Sequence, residues 1–442
     1  MRRYNEYTKQ RFEVRPMKFF TPFELPVAPV FPDRSFDIRD YGAKEGTEFK
    51  STKAINDAIC ACSYSGGGHV VVPRGQWLSG AIHLKDNVDL HFEEGSLLHF
   101  SEDFNDYLPV VYGILGGNRC YSPSHFLYAY KCKNIAVTGK GTLDGHGKVW
   151  WPMKNHNIGM QDLMKKGKAL APLSERVYDK PEQGVRPRML QFVECENVLI
   201  EGITMKNSPS WTVHPAWCKN IIIRDLVIRN PVDSPNTDGV NLESCKRGLV
   251  ERLDVETGDD VCCLKAGRDE DAWDVGVPCE DIEIRNIVSS GGHGGFTVGS
   301  ETSACIRNAY IHDCHFDGNL YSAVRFKTMK GRGGVVENID CENITATKTT
   351  SAAVYITMRY TGEKLDDQSK PIENMPKMRN ISISGVRCEK AKCGIKLCGE
   401  RGYDLENIYL SDIDVAAEIP IDAMNVFGLH MENVKLREMV SE

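Results

Sequence analysis

Four short polar stretches in this chain are built from residues that do chemistry: Asn236-Thr237-Asp238-Gly239, Gly258-Asp259-Asp260, Gly292-His293-Gly294 and Arg325-Phe326-Lys327. Carboxylates, an imidazole, a guanidinium and an ammonium are the parts of acid–base catalysis on an anionic substrate. Carboxylates crowded together resist ionising together, so one cluster can supply both an acid and a base. The planar fork of arginine suits a carboxylate. Taken singly, each stretch is ordinary. Asn-Thr-Asp-Gly and Gly-Asp-Asp make common turns, and a histidine between glycines is a common loop residue. Arg325 and Lys327, two apart on a strand, share a face as any solvated pair does. The signal lies in their order and spacing.

From Asp238 to Asp259 is a step of 21 residues (259 − 238 = 21). Stacked repeat folds use units of about this length, and neighbouring strands lie ~4.8 Å apart. A 21-residue coil of a parallel β-helix therefore sets Asp238 beside the Asp259/Asp260 pair on the next coil. The intervals from Asp259 to His293 and from His293 to Arg325 are 34 and 32 residues, so loops must bulge between those stations. Asp259 and Asp260 are consecutive and would face opposite sides of a strand. A β-bulge at Gly258 is one way for both to reach the groove.

The rest of the chain supports this architecture. An N-[IV]-x-[IV] run recurs at Asn134, Asn197, Asn220 and Asn380, with variants at Asp281, Asn338 and Asn407. Asparagine tolerates the left-handed backbone of a corner and can stack its amide on the next coil. A β-propeller needs about 40 residues per blade, longer than this unit. Cysteines recur near the same corner, at 132, 195, 218, 245, 279 and 341. One small buried thiol per coil predicts reduced, structural cysteines and no zinc site. Residues 1–35, with five prolines, predict an extended N-terminal arm. Residues 36–442 predict a single β-helix domain with a long insertion near 150–188 and a second irregular stretch at 361–378. Apolar residues at helical spacing from Ala54 to Cys62 predict a short helix capping the open end of the solenoid, with Ser51 or Thr52 as its N-cap.

The ordered set resembles the four signature segments of glycoside hydrolase family 28, the polygalacturonases. The resemblance extends over nearly the whole chain, through Phe36–Gly42, Gly141–Gly145 with Trp150-Trp151, and Asn207-Ser208-Pro209. It implies an all-β, right-handed parallel β-helix that hydrolyses α-1,4-linked galacturonic acid with inversion. Glu243–Lys246, Gly267–Asp269 and Ser300-Glu301 look most like the exo-acting bacterial members. Phe326 departs from the aliphatic residue usual there. By resemblance Asp259 is the acid, Asp238 and Asp260 hold and activate the water, and His293 tunes the acid. Arg325 and Lys327 grip the sugar carboxylate, with Asn236, His214, Glu243, Arg268 and Glu301 as further substrate-binding candidates. The acid and base of an inverting glycosidase are expected ~6.5–9.5 Å apart.

Rival readings use the same groove: a rhamnogalacturonan or modified-pectin hydrolase, a calcium-dependent pectate lyase, and a non-catalytic carbohydrate-binding β-helix. The intact acid set favours the hydrolase, with a pectic oligo- or polysaccharide as partner and no metal or cofactor. A net charge of −7 over 442 residues offers nothing to nucleic acid or an anionic membrane surface. The first residues lack the apolar stretch of a leader peptide. The expected compartment is the cytoplasm, or the periplasm if a leader has been removed.

Overall fold

The strands of this protein are short, and alternate residues point inward. Gly68–Val72 buries every second side chain, and so does Ser96–Phe100. A strand with one apolar face is stable only when stacked. The computed structural model, which describes residues 19–360 and 373–439, resolves this by coiling the chain into a right-handed parallel β-helix. Among the described residues twenty-six strands form one continuous parallel sheet, and a separate two-stranded hairpin pairs Val111–Leu115 with Asn118–Ser122. Inside, apolar residues stack in columns. Leu190 lies under Val213, Val213 under Val240, Val240 under Cys262 and Cys262 under Phe296. Most of the 361–378 stretch falls outside the described residues.

The corners form as the repeat implies. Asn134, Asn197, Asn220, Asp281, Asn338, Asn380 and Asn407 all have positive φ. Their amides make ladders. Asn220 donates to Asn197, Asn197 to Asn134 and Asn134 to Asn87, at 2.9, 2.8 and 3.0 Å. A second ladder runs Asn407 to Asn380 to Asn338. Cysteines 132, 195, 218, 245 and 279 share one column, read from the strands that follow them. Cys341 does not. It stacks between Ile311 and Ile383, because the coil it belongs to puts Val336 at the cysteine position. All sixteen cysteines are free thiols.

The capping helix runs Thr52–Tyr64 and buries Ala54, Ile55, Ala58, Ile59 and Cys62. Ser51 precedes it but does not cap with its side chain. Its hydroxyl contacts the Lys44 carbonyl instead, and Thr52 Oγ1 accepts from Gly80 N. Residues 19–34 contain no helix or strand. Phe20 stacks on Tyr310 at 5.4 Å, and Ala28 and Phe31 pack on Ala136, Leu199 and Ile222. This segment therefore crosses several coils on the outside of the solenoid.

Three insertions converge on one side. The 145–189 stretch carries the helix Ile158–Lys168, the second is the hairpin of residues 111–122, and the third is the helix Asp269–Val275. Leu115, Cys120, Leu163, Tyr178 and Val185 form a small core between the first two. Buried Asp271 ties the third to both, pairing with Arg119 at 2.7 Å and Arg176 at 2.8 Å.

Replacing Asn197 by alanine breaks two amide bonds in the ladder and leaves a β-carbon in left-handed backbone. The expected loss is about 2 kcal/mol in urea denaturation. Asn197→Gly relieves the backbone and should lose only about half as much. Equal stability of all three proteins would show that the ladder is ornamental.

Candidate active site

Parallel pairing sets the site. Val240 pairs with Cys262, a step of 22 (262 − 240 = 22), and Gly239 N donates to Asp260 O. Asp238 is therefore stacked under Asp260, one residue away from the register that the 21-residue spacing suggested. Asp259 falls to the side. Residues 257–261 are bent rather than part of a strand, so the two neighbouring aspartates diverge at a bend before the strand Cys262–Lys265, not at a bulge within it. Gly258 makes the bend close. Its N–H donates to Thr237 Oγ1 at 3.1 Å, and a β-carbon there would collide with the Ser234 carbonyl. Gly294, on the next coil, leaves room for Asp260, since its β-carbon would sit 2.6 Å from Asp260 Oδ1.

The three carboxylates occupy different environments. Asp260 is buried, bonded to Lys327 Nζ at 2.7 Å, with Arg325 Nη1 at 3.9 Å. Burial alone would raise its pKa, but Lys327 and Arg325 outweigh it and hold the carboxyl well below the usual range. Asp238 is equally buried, yet its Oδ1 has no partner and no cation lies within ion-pair distance among the described residues. Burial, reinforced by the Asp259 carboxylate, pushes it well above the usual range. Asp259 keeps 25% of its side chain exposed. Asn236 Nδ2 donates to its Oδ2 at 3.3 Å, and His293 Nδ1 lies 3.6 Å from its Oδ1. The nearest oxygens of Asp238 and Asp260, and those of Asp259 and Asp260, come within 4.8 Å. The Asp259–Asp260 approach is tighter than the ~6.5–9.5 Å expected of an inverting pair.

The remaining candidates divide. Asn236, in left-handed backbone, is fixed by Arg186, which donates to its Oδ1 at 2.7 Å and to the Pro209 and Pro235 carbonyls. His293 is half-exposed against the Tyr321 ring. Arg325 and Lys327 are nearly buried. Arg325 sits over Tyr321 and Tyr360, and Lys327 over Tyr360. Phe326 points the other way, into the core against Phe296.

His214 and Glu243 are out of reach of substrate because both side chains are fully buried. They bond each other at 2.7 Å, and Gln191 holds the other histidine nitrogen at 2.8 Å. Since the Gln191 amide also donates to Ile114 O, the geometry assigns the histidine proton to the nitrogen facing Glu243. Burial, with Arg188 and Lys265 nearby, keeps His214 neutral. Burial, with Glu301 nearby, pushes Glu243 up to about 8. Glu301 pairs with Lys265 at 3.0 Å and Arg268 at 3.1 Å. Arg268 also meets Gly117 of the hairpin and Met164 of the long insertion.

Several residues at the site carried no motif in the sequence: Arg186, Arg188, Trp211, Lys265, Tyr321 and Tyr360. Trp211 lies between Arg188, 4.4 Å from its ring, and Lys265 at 4.6 Å. The step from Trp211 to Asp238, 27 residues, was the available signal, since it equals the pairing offset of Val213 with Val240.

Comparison with known proteins agrees with this geometry. The family model for glycosyl hydrolases family 28 matches residues 62–427. Among solved structures, a hyperthermoactive exopolygalacturonase from Thermotoga maritima is 33% identical and superposes with a TM-score of 0.88, covering 93% of this chain and 94% of that one. A family 28 exopolygalacturonase from Yersinia enterocolitica shares the fold at 20% identity and TM-score 0.71, covering 91% and 78%. A probable polygalacturonase of Vitis vinifera is 27% identical over 410 residues, 89% of this chain and 78% of the relative.

Glu243 gives a pH test. Its folded pKa, about 8, lies above the ordinary 4.5, so folded protein keeps a proton that the unfolded chain has lost. Its contribution to stability is full below about 4.5 and is lost as pH rises through about 8. Glu243→Gln should remove that decline. The difference in melting temperature between variant and parent should move in the variant's favour from about pH 5 to about pH 8, and a pH-independent difference contradicts the assignment.

Proposed function

The chain belongs to glycosyl hydrolase family 28, and from that premise we propose that it cleaves α-1,4-galacturonosyl linkages of pectic chains with inversion, working from the chain end. The observation that carries this reading is the unequal treatment of three adjacent aspartates beside a cationic platform. Asp260 is held ionised by Lys327 and Arg325. Asp238, buried with a free oxygen, keeps its proton. Asp259 faces the opening between Asn236 and His293.

These environments divide the labour. Asp259, the exposed one, is the acid for the leaving glycosidic oxygen. Asp260 is the base. Water held between Asp238 and Asp260 donates a proton toward Asp260 and accepts a hydrogen bond from Asp238. Because Asp259 and Asp260 approach so closely, the water lies to the side of the line joining them, beside Asp238. Arg325 and Lys327 already share Asp260, and their remaining donors suit the sugar carboxylate. In Arg325, Nη1 faces Asp260 and Nε is enclosed, which leaves Nη2 for the sugar. Tyr321 and Tyr360 offer ring faces next to them.

Attack at the chain end has a structural rationale. Arg268 draws the hairpin and the long insertion up to Glu301, and Glu301 links them to Lys265 on the coil of Asp260. A groove blocked in this way admits a terminus rather than a chain interior. The Thermotoga and Yersinia proteins are exopolygalacturonases, which supports the same reading.

On polygalacturonate, galacturonic acid monomer should appear from the first minutes while viscosity falls slowly, with chelator making no difference. Rapid viscosity loss with mixed oligomers contradicts end attack. An ultraviolet-absorbing unsaturated product, suppressed by chelator, contradicts hydrolysis. Asp259→Asn should lower kcat at least ~10²-fold, the scale of general acid catalysis, with an unchanged circular dichroism spectrum. A fully active variant removes Asp259 from the mechanism.

A further inference from the structure

Arg188 is a buried cation without a counter-ion. It is 7% exposed, its Nη1 donates to Ser210 Oγ at 2.6 Å, and its Nε has no partner. Among the described residues no carboxylate lies within ion-pair distance of it. Other buried cations here are provided for. Lys265 has Glu301, Lys327 has Asp260, Arg176 has Asp271 and Arg332 has Asp269. Arg186 spends its donors on two carbonyls and the Asn236 amide. Leaving a desolvated guanidinium unpaired is costly, and burial has already pushed Arg188 down to about 10.

Its place in the fold is informative. Leu190 pairs with Val213, Val213 with Val240 and Val240 with Cys262. Two residues earlier on each coil, the same register holds Arg188, Trp211, Asp238 and Asp260. Continuing upward, Cys262 pairs with Phe296 and Phe296 with Val324, beside which stands Arg325. Arg188 is thus two coils below Asp238, and Arg325 is two coils above Asp260. At ~4.8 Å per coil, the Arg188 backbone lies roughly 10 Å along the axis from that of Asp238, whereas the Arg325 side chain reaches back to within 3.9 Å of Asp260. A glycosidic bond between two uronic acids has one carboxylate on either side. Arg325 and Lys327 serve one side; on the other, Trp211, buried between Arg188 and Lys265, fixes the Arg188 guanidinium.

We propose that Arg188 is the counter-ion for the carboxylate of the terminal sugar, and that it makes the enzyme select a uronic acid over a neutral hexose at that position. This rests on the glycosidase reading above and adds to it the residue that reads the released sugar. The terminal carboxylate accepts from Nη2, since Nε is enclosed and Nη1 is spent on Ser210, while Ser210 and Trp211 hold the fork in place. Arg188 takes no part in proton transfer.

The test compares kcat/KM for digalacturonate with that for its analogue whose terminal carboxylate is reduced to a hydroxymethyl group. Arg188→Gln should lower the first by about 10²-fold, the scale of a broken buried charge pair, and leave the second within about threefold of its parent value. Arg188→Lys should recover part of the loss. Parallel losses on both substrates, or no loss on either, overturn the proposal. A second arm does not depend on turnover. Free galacturonate should raise the melting temperature of the parent protein but not of Arg188→Gln, and galactose should raise neither. Equal protection of both proteins by galacturonate also overturns it. An inactive parent protein counts against the assigned reaction, whereas the binding arm still decides the role of Arg188.

Discussion

Parallel hydrogen bonding between successive coils is the constraint on which everything else in this molecule rests. It fixes register, and register decides which side chains meet. Arg188, Trp211, Asp238 and Asp260 come from positions 72 residues apart in sequence (260 − 188 = 72), yet the ladders place them on consecutive coils in one column. A slip of one residue would turn each strand's polar set into the core. The core columns of Leu190, Val213, Val240, Cys262 and Phe296 forbid that slip, because each is enclosed by apolar neighbours. The site inherits its precision from the core.

The same stacking sets the electrostatics. Carboxylates on adjacent coils cannot move apart, so their ionisation must be settled by what surrounds them. Lys327 and Arg325 reach Asp260 from two coils above, and among the described residues no cation comes within ion-pair distance of Asp238. A rigid scaffold thereby keeps two like groups in opposite protonation states. The second buried layer, His214 with Glu243 and Lys265 with Glu301, lies behind the first and carries the pairing on toward the insertions.

Much of this was legible in the residues themselves. Asparagines at repeated corners announced left-handed turns and amide ladders, and both are present. The helical spacing from Ala54 to Cys62 named the buried face of the capping helix. What spacing could not supply was the register to one residue. The 21-residue step pointed at Asp259, whereas the ladder pairs Asp238 with Asp260, because Gly258 bends the chain before the strand begins. Burial was also hidden. His214 and Glu243 sit on two strands, each with all four residues buried; they share the face of Arg325 and Lys327, so polarity gave the face but not the burial. The Val111–Leu115 hairpin turns on Gly116-Gly117, a two-glycine turn signal, but without alternating apolar residues around it. Arg188 sits in an insertion with no repeat to mark its register.

The central claim is that stacked Asp238 and Asp260 hold opposite protonation states. The most direct measurement is a titration of the aspartate carboxyl carbons by ¹³C NMR, with the two signals assigned by their loss in Asp238→Asn and Asp260→Asn. The Asp260 signal should stay ionised into strongly acidic solution, while the Asp238 signal should remain that of a protonated acid well above the usual carboxylate range. Two signals titrating together near the ordinary value, or in the reverse order, would contradict the account.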